Sequence, residues 1–178
     1  MIRAAAAALA FVLCAQDGAS AATRAQVDRW LATSKAIAHL SPPSGTVASM
    51  QHRPYVSVRG VLGATGWIDP GDVTDGYLAD GAQRVMMLPI ESGGSGGVFT
   101  ALLFTQVDGR VRFVGTLPSA GGHLDAYLDG GRIVVRTPVY AASDPNCCPS
   151  AQHYRRATLH GTTLVTEDEW DVPLAKPR

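Results

Sequence analysis

Three tight turns constrain this chain more than any other feature. Asp108-Gly109, Asp129-Gly130-Gly131 and His160-Gly161 each stand between two runs rich in β-branched, aromatic or alternating residues. Glycine and aspartate at such positions suit the positive φ angles that short hairpin loops require, and a short hairpin joins antiparallel neighbours. The spacing predicts paired strands at 98–107 and 110–117, at 123–128 and 132–140, and at 153–159 and 162–167. Two more strands are expected upstream. Residues 55–62 alternate Tyr55, Ser57 and Arg59 with Val56, Val58 and Gly60, and 84–90 is a short apolar run suited to a buried strand.

Ahead of the strands, residues 23–40 read as a helix. Val27, Trp30, Leu31, Ser34 and Ala38 share a face at helical spacing, with Ile37 beside them. Thr23 and Gln26 have the spacing of a capping box, and Pro42-Pro43 closes the segment. Ser41 to Met50 is a linker. The expected fold class is α+β: an N-terminal helix packed on an antiparallel β-meander of about six to eight strands, a number set by turn spacing. An open sheet curled toward a barrel is the variant of the same pattern. One domain is expected over 22–170, followed by a loose tail at 171–178 that holds Pro173 and Pro177.

The first residues point to export. Arg3 supplies one positive charge, Ala4 to Ala15 is apolar throughout, and Ala19-Ser20-Ala21 places small residues where signal peptidase acts. Cleavage is expected after Ala21, giving a periplasmic or secreted protein. A lipoprotein anchor at Cys14 is the alternative, and Leu13 is a poor residue to precede a lipidated cysteine. No later stretch reaches the roughly 18 apolar residues of a membrane span. Basic and acidic side chains balance at 15 each, which argues against nucleic acid or an anionic membrane surface as partner.

The segment Asp144-Pro145-Asn146-Cys147-Cys148-Pro149-Ser150 is the most distinctive. Its two prolines make it a stiff connection between strands. Cysteines bridged by a disulfide usually lie ~4.4–6.8 Å apart at Cα, whereas adjacent Cα atoms are ~3.8 Å apart across a trans peptide. A vicinal bridge therefore forces the intervening peptide from its relaxed shape and is easily reduced. A tight turn locked by a Cys147–Cys148 disulfide is the first reading. A redox switch, an intermolecular crosslink, and a soft-metal thiolate site with His153 as third ligand are the others. Zinc wants four protein ligands, or three and water, and the C-C spacing differs from the C-x-x-C of thioredoxin-like sites.

This loop, preceded by Gly130-Gly131-Arg132-Ile133-Val134-Val135, resembles that of a group of bacterial exported proteins of unknown function, and the Cys-Cys-Pro loop of the LppP/LprE lipoprotein family. The same group carries an Asp-x-x-Asp-Gly-type turn, an apolar strand and Gly-Gly-Ser-Gly. Here these correspond to Asp72 to Gly76, Val85 to Leu88, and Gly93 to Gly96, so the likeness covers roughly residues 55–165. The leader departs from that family in lacking a proper lipidation site. The resemblance implies an envelope location and a shared fold, and no reaction.

Asp69, Asp72, Asp75 and Asp80 crowd one glycine-containing stretch. Calcium takes six to eight oxygens from such loops, but the EF-hand alternation and its terminal glutamate are missing, and aspartates also serve turn geometry. Calcium at Asp72, Asp75 and Asp80 is therefore a candidate beside the soft-metal site. Gly93-Gly94-Ser95-Gly96-Gly97 matches the nucleophile elbow G-x-S-x-G, which needs a strand before it and a helix after it. The run after it reads as a strand. Trp67 and Trp170 lie near loops where they would line a surface. None of the five histidines forms H-x-x-x-H or H-E-x-x-H. With no acid, base and nucleophile set in view, the leading expectation is a non-catalytic binding or structural module, with another envelope protein as the partner class. A thiol or metal protein using Cys147 and Cys148, and a serine hydrolase using Ser95, are the alternatives.

Overall fold

The computed structural model describes residues 23–59, 65–69, 72–81, 83–92, 97–117, 123–145 and 147–175. The leader, Cys14, the end of the expected 55–62 strand and Ser95 lie outside the described residues. The chain divides into two compact units, Met1–Ser34 and Lys35–Arg178. In the first, a helix α1 spans 23–33. Thr23, Val27 and Leu31 recur on one face and are its buried residues.

The expected helix at 23–40 ends early because its last residues find strand partners. Strand β1 (Ile37–His39) pairs with β2 (Tyr55–Val58) in the register Ile37↔Val58 and His39↔Val56. Arg59 N donates to Ala36 O at 2.8 Å and Leu40 N to Tyr55 O at 2.9 Å, extending the ladder at both ends. The spacing of Ile37 and Ala38 suits either structure. The β2 backbone settles it by supplying hydrogen-bond partners.

The second unit consists of two antiparallel sheets. Strands β1, β2, β3 (Thr65–Ile68), β5 (Arg84–Glu91), β6 (Val98–Val107) and β7 (Arg110–Leu117) lie in that order in a seven-stranded sheet, and β4 (Thr74–Tyr77) also pairs with β5. β3 pairs with Ile90 and Glu91 while β4 pairs with Arg84 to Met87, so the two short strands share one edge of β5. The second sheet is a four-stranded meander of β8 (Asp125–Asp129), β9 (Arg132–Val139), β10 (Ala151–His160) and β11 (Thr163–Pro173). The three expected hairpins are present as β6–β7, β8–β9 and β10–β11.

Among the described residues the strands thus number eleven, against the six to eight expected, and form two sheets where a single meander was expected. The additions β1, β3 and β4 have three or four residues each, too short to show a period. One correction concerns a boundary. Asp171 to Pro173 was expected in a loose tail and is the end of β11, with Leu174 N donating to Ser150 O at 2.8 Å. β11 is an edge strand, where proline is tolerated.

Alternation decides which residues form the core. Val85 and Met87 of β5, Ala101 and Leu103 of β6, and Leu117 of β7 cluster with Ile133 and Val135 of β9 and Leu159 of β10, joined by Leu78 and Leu124. The two sheets are therefore packed face to face. The opposite face of β5 and β6 is buried too: Met86, Leu88, Ile90, Leu102 and Phe104 have essentially no exposure. Burial on both faces accounts for the unbroken apolar runs in these strands. Arg84, buried at the start of β5, is ion-paired with Asp75 of β4.

The β8–β9 hairpin is pinned to the turn after β4. Ala79 N donates to Gly131 O at 2.9 Å. Gly131 has φ +72°, and a Cβ there would sit 2.5 Å from Ala79 N. Gly130 has φ +54° with open space around it. Replacing either with alanine carries the cost of a left-handed residue, about 1–3 kcal/mol, and only Gly131 adds a clash with backbone. Urea denaturation is expected to rank Gly131→Ala clearly below Gly130→Ala, and equal midpoints would contradict this. Leu103→Ala, which empties a fully buried position of the shared core, is expected to cost about 2–5 kcal/mol in the same experiment.

Candidate functional site

At one end of the four-stranded sheet, β9 and β10 are joined by the connection 140–150, and β8 begins beside them. Asp144 organises that connection. Its carboxylate Oδ2 accepts the Ala141 amide at 2.7 Å and the Ser150 amide at 2.9 Å, and Asp144 N donates to Ala141 O at 3.0 Å. Ser150 N also donates to Val139 O at 3.1 Å, and Cys148 N to Pro145 O at 3.0 Å. One charged side chain thus ties the two ends of the loop together. Prolines 145 and 149 restrict what lies between.

The loop and the sheet end enclose a cavity of about 300 Å³. His123, Asp125, Arg136, Tyr140, Cys147 and Gln152 supply its polar groups, and Leu124, Pro138 and Pro149 complete its lining. Four of these side chains arrive by cross-strand register. Asp125 of β8 lies opposite Arg136 of β9, and Pro138 of β9 lies opposite Gln152 of β10. Arg136 Nη2 donates to Asp125 Oδ2 at 2.5 Å, so the cation and anion of the wall largely balance.

From this wall a row of side chains crosses the outer face of the sheet. Arg136 stands opposite Tyr154, and Tyr154 opposite Trp170. The Tyr154 and Trp170 rings stack at 5.3 Å between centroids with 8° between planes, and the Arg156 guanidinium lies 5.1 Å from the Trp170 ring centre. A side-chain hydrogen bond with Tyr154 raises the Arg136 pKa above its usual value, against a smaller opposing effect of burial. Burial raises the Tyr127 pKa, followed by the charge of Tyr154, with Arg136 opposing. The face therefore presents a guanidinium already engaged by Tyr154 and Asp125 before any ligand arrives.

Cys147 and Cys148 are both exposed and unbridged. The Cys148 pKa is raised, first by a hydrogen bond with Cys147 and then by desolvation. Cys147 lines the cavity. His153, the ligand suggested by nearness in sequence, does not. Adjacent strand residues point to opposite faces, so Gln152 reaches the cavity while His153 bonds Asp171 Oδ1 through Nδ1 at 2.7 Å. The histidine that shares the cavity with Cys147 is His123, which carries no sequence motif.

The aspartates expected to gather around calcium are spread over separate tasks. Asp75 pairs with Arg84, Asp80 Oδ1 accepts Gln83 N at 3.2 Å, and Asp72 lies near Pro89 and Ala126 on the rim of a second cavity. Among the described residues, no group of three or more histidine, cysteine, aspartate and glutamate side chains is placed to hold a metal ion. The glycine-rich segment around Ser95 is followed by strand β6, where a nucleophile elbow needs a helix. Trp67 is buried, its ring tilted 45° against that of Tyr55 at 4.7 Å between centroids, while Trp170 is part of the outer row. No helix among the described residues is long and apolar enough to cross a membrane. No protein-family model, curated protein or solved structure matches the chain.

Two outcomes follow from this geometry. Asp144→Ala should leave the sheets folded while amide hydrogen exchange at Ala141 and Ser150 accelerates by about tenfold or more, the loss of a charge-assisted hydrogen bond; unchanged protection would contradict the staple. In the reduced protein near pH 8, Cys148 should alkylate more slowly than an unperturbed thiol, because its bond to Cys147 favours the protonated form. Cys147→Ala should bring Cys148 closer to the ordinary rate, read by peptide mass spectrometry.

Proposed function

We propose that this chain is an exported, non-catalytic binding module that takes a small polar molecule in the cavity between the sheet end and the 140–150 loop. One observation carries the reading: a concave site at the lower end of the usual size range for small-molecule pockets, walled by side chains already fixed by Asp144, by cross-strand register and by the Asp125–Arg136 pair. Walls ordered in advance spare a ligand the cost of ordering them. Gln152, Tyr140 and Arg136 offer hydrogen bonds of both senses.

The envelope location rests on the leader and on the likeness of the cysteine loop to that of the LppP/LprE family. In an oxidising compartment Cys147 and Cys148 close into a vicinal disulfide, which stiffens the cavity rim further. A second reading, a thiol protein that acts through reversible opening of that bond, is favoured by the position of Cys147 in the cavity wall.

The binding reading is tested by thermal-shift screening with sugars, amino acids, nucleosides and organic acids. At least one class should raise the melting temperature of the wild type, and Gln152→Trp, which fills the cavity, should remove that rise without lowering the starting temperature by much. Hits indifferent to Gln152→Trp, or no hits, would overturn it. Intact mass of the exported protein, before and after alkylation without reductant, tests the rest. A chain beginning at Ala22, two mass units light and unalkylated, is expected.

A further inference from the structure

The cavity beneath the 140–150 loop has one wall that can change covalently. Cys147 lines it, Cys148 follows directly, and the two side chains are in hydrogen-bond contact with each other. Both thiols are exposed, so a small thiol or disulfide reaches them from solution. The peptide between them is also part of a turn, because Cys148 N donates to Pro145 O at 3.0 Å. A bridge between the two sulfurs does not fit around that peptide as it stands. Bridged cysteines usually lie ~4.4–6.8 Å apart at Cα, and adjacent ones ~3.8 Å. Closing the bond therefore displaces Cys147, the turn hydrogen bond, or both.

The displacement has little room to spread. Asp144 Oδ2 holds the amides of Ala141 and Ser150 at 2.7 and 2.9 Å, and Ser150 N also donates to Val139 O. Pro145 and Pro149 each fix one backbone angle. The movement is thus confined to the segment bounded by the prolines, where Cys147 and Pro149 both line the cavity. The facing wall, with Asp125, Arg136 and Gln152, comes from three strands that the bond does not touch. We propose that reversible closure of the Cys147–Cys148 bond switches this cavity between two shapes and so regulates what it binds. The regulatory role rests on the binding reading proposed above, whereas the change of shape follows from the loop alone. Closure is a thiol–disulfide exchange. One cysteine thiolate attacks a small-molecule disulfide such as glutathione disulfide and releases one thiolate, leaving a mixed disulfide. The second cysteine then displaces the other half. The pair loses two electrons and two protons, and the oxidant gains them as two thiols. Reduction by a dithiol runs the same steps in reverse.

The test uses the mature protein, oxidised with glutathione disulfide or reduced with dithiothreitol, with each form confirmed by intact mass. Crystal structures of the two forms should differ at Cys147 and Pro149 while Asp125, Arg136 and Gln152 superpose. Each compound that raises the melting temperature is then titrated by calorimetry against both forms. The two dissociation constants should differ by at least about fivefold, the lower end of typical coupling between sites. The double variant Cys147→Ser with Cys148→Ser, which alters two exposed positions, should show one affinity whether or not reductant is present. Loops that superpose in the two forms, oxidation that yields only mixed disulfides or crosslinked chains, or equal affinities for a compound whose binding Gln152→Trp removes would each overturn the proposal. A loop that moves while no compound binds either form would overturn the binding reading, and the regulatory role with it. A loop that stays while compounds bind would overturn this proposal alone.

Discussion

The hydrogen-bonded pair of β5 and β6 is the constraint on which the second unit depends. Eight registered positions run from Arg84↔Gln106 to Glu91↔Val98, and the residues between them are buried on both faces of the sheet. Burying a Leu, Met or Phe side chain is worth about 1.5–3 kcal/mol, and here such residues occur consecutively. The pair contributes Val85, Met87, Ala101 and Leu103 to the core shared by the two sheets, and Met86, Leu88, Leu102 and Phe104 to the other side. The short strands β3 and β4 would be marginal alone and take their place by completing one edge of β5.

With the centre closed in this way, the described cavities lie toward the ends of the strands. The sandwich is pinned near the β8–β9 hairpin, where Ala79 bonds Gly131 and where Gly76 approaches so near to Leu128 that a Cβ would lie 2.5 Å from its Cδ1. At the other end of β8, around Leu124 and Asp125, two cavities adjoin. Asp125 serves both: its carboxylate holds Arg136 in the larger cavity, and the residue borders the smaller one. The Asp144 staple gives the polar side a fixed rim, so its shape is set by a few charge-assisted hydrogen bonds outside the core.

The hairpins were legible because their signals are local: Asp108-Gly109 and Asp129-Gly130-Gly131 need only their own backbone angles. The end of the helix was not, because Ile37 to His39 form a strand only when β2 lies beside them. The division into two sheets was also hidden, since a meander written in sequence does not say where it folds over. The cysteine loop announced itself through its prolines and paired thiols. Its neighbours did not: His123, Arg136 and Gln152 come from three strands or their approaches and meet by register, for which no motif exists. Proximity in sequence pointed to His153, and strand alternation turned that side chain to the opposite face. The aspartates are dispersed for a related reason, as one residue type serves an ion pair, a turn cap and a cavity rim.

The central claim is that the end of the sandwich around Asp125, Gln152 and Cys147 is a ready-formed binding site, and the most direct measurement is crystallographic solvent mapping. Crystals of the mature protein would be soaked separately in several small organic solvents and the bound molecules located. Different solvents are expected to converge on the cavity beneath the 140–150 loop, with Arg136 and Gln152 in unchanged positions. Solvents scattered over the surface, or gathered elsewhere while this cavity stays filled by collapsed side chains, would contradict it.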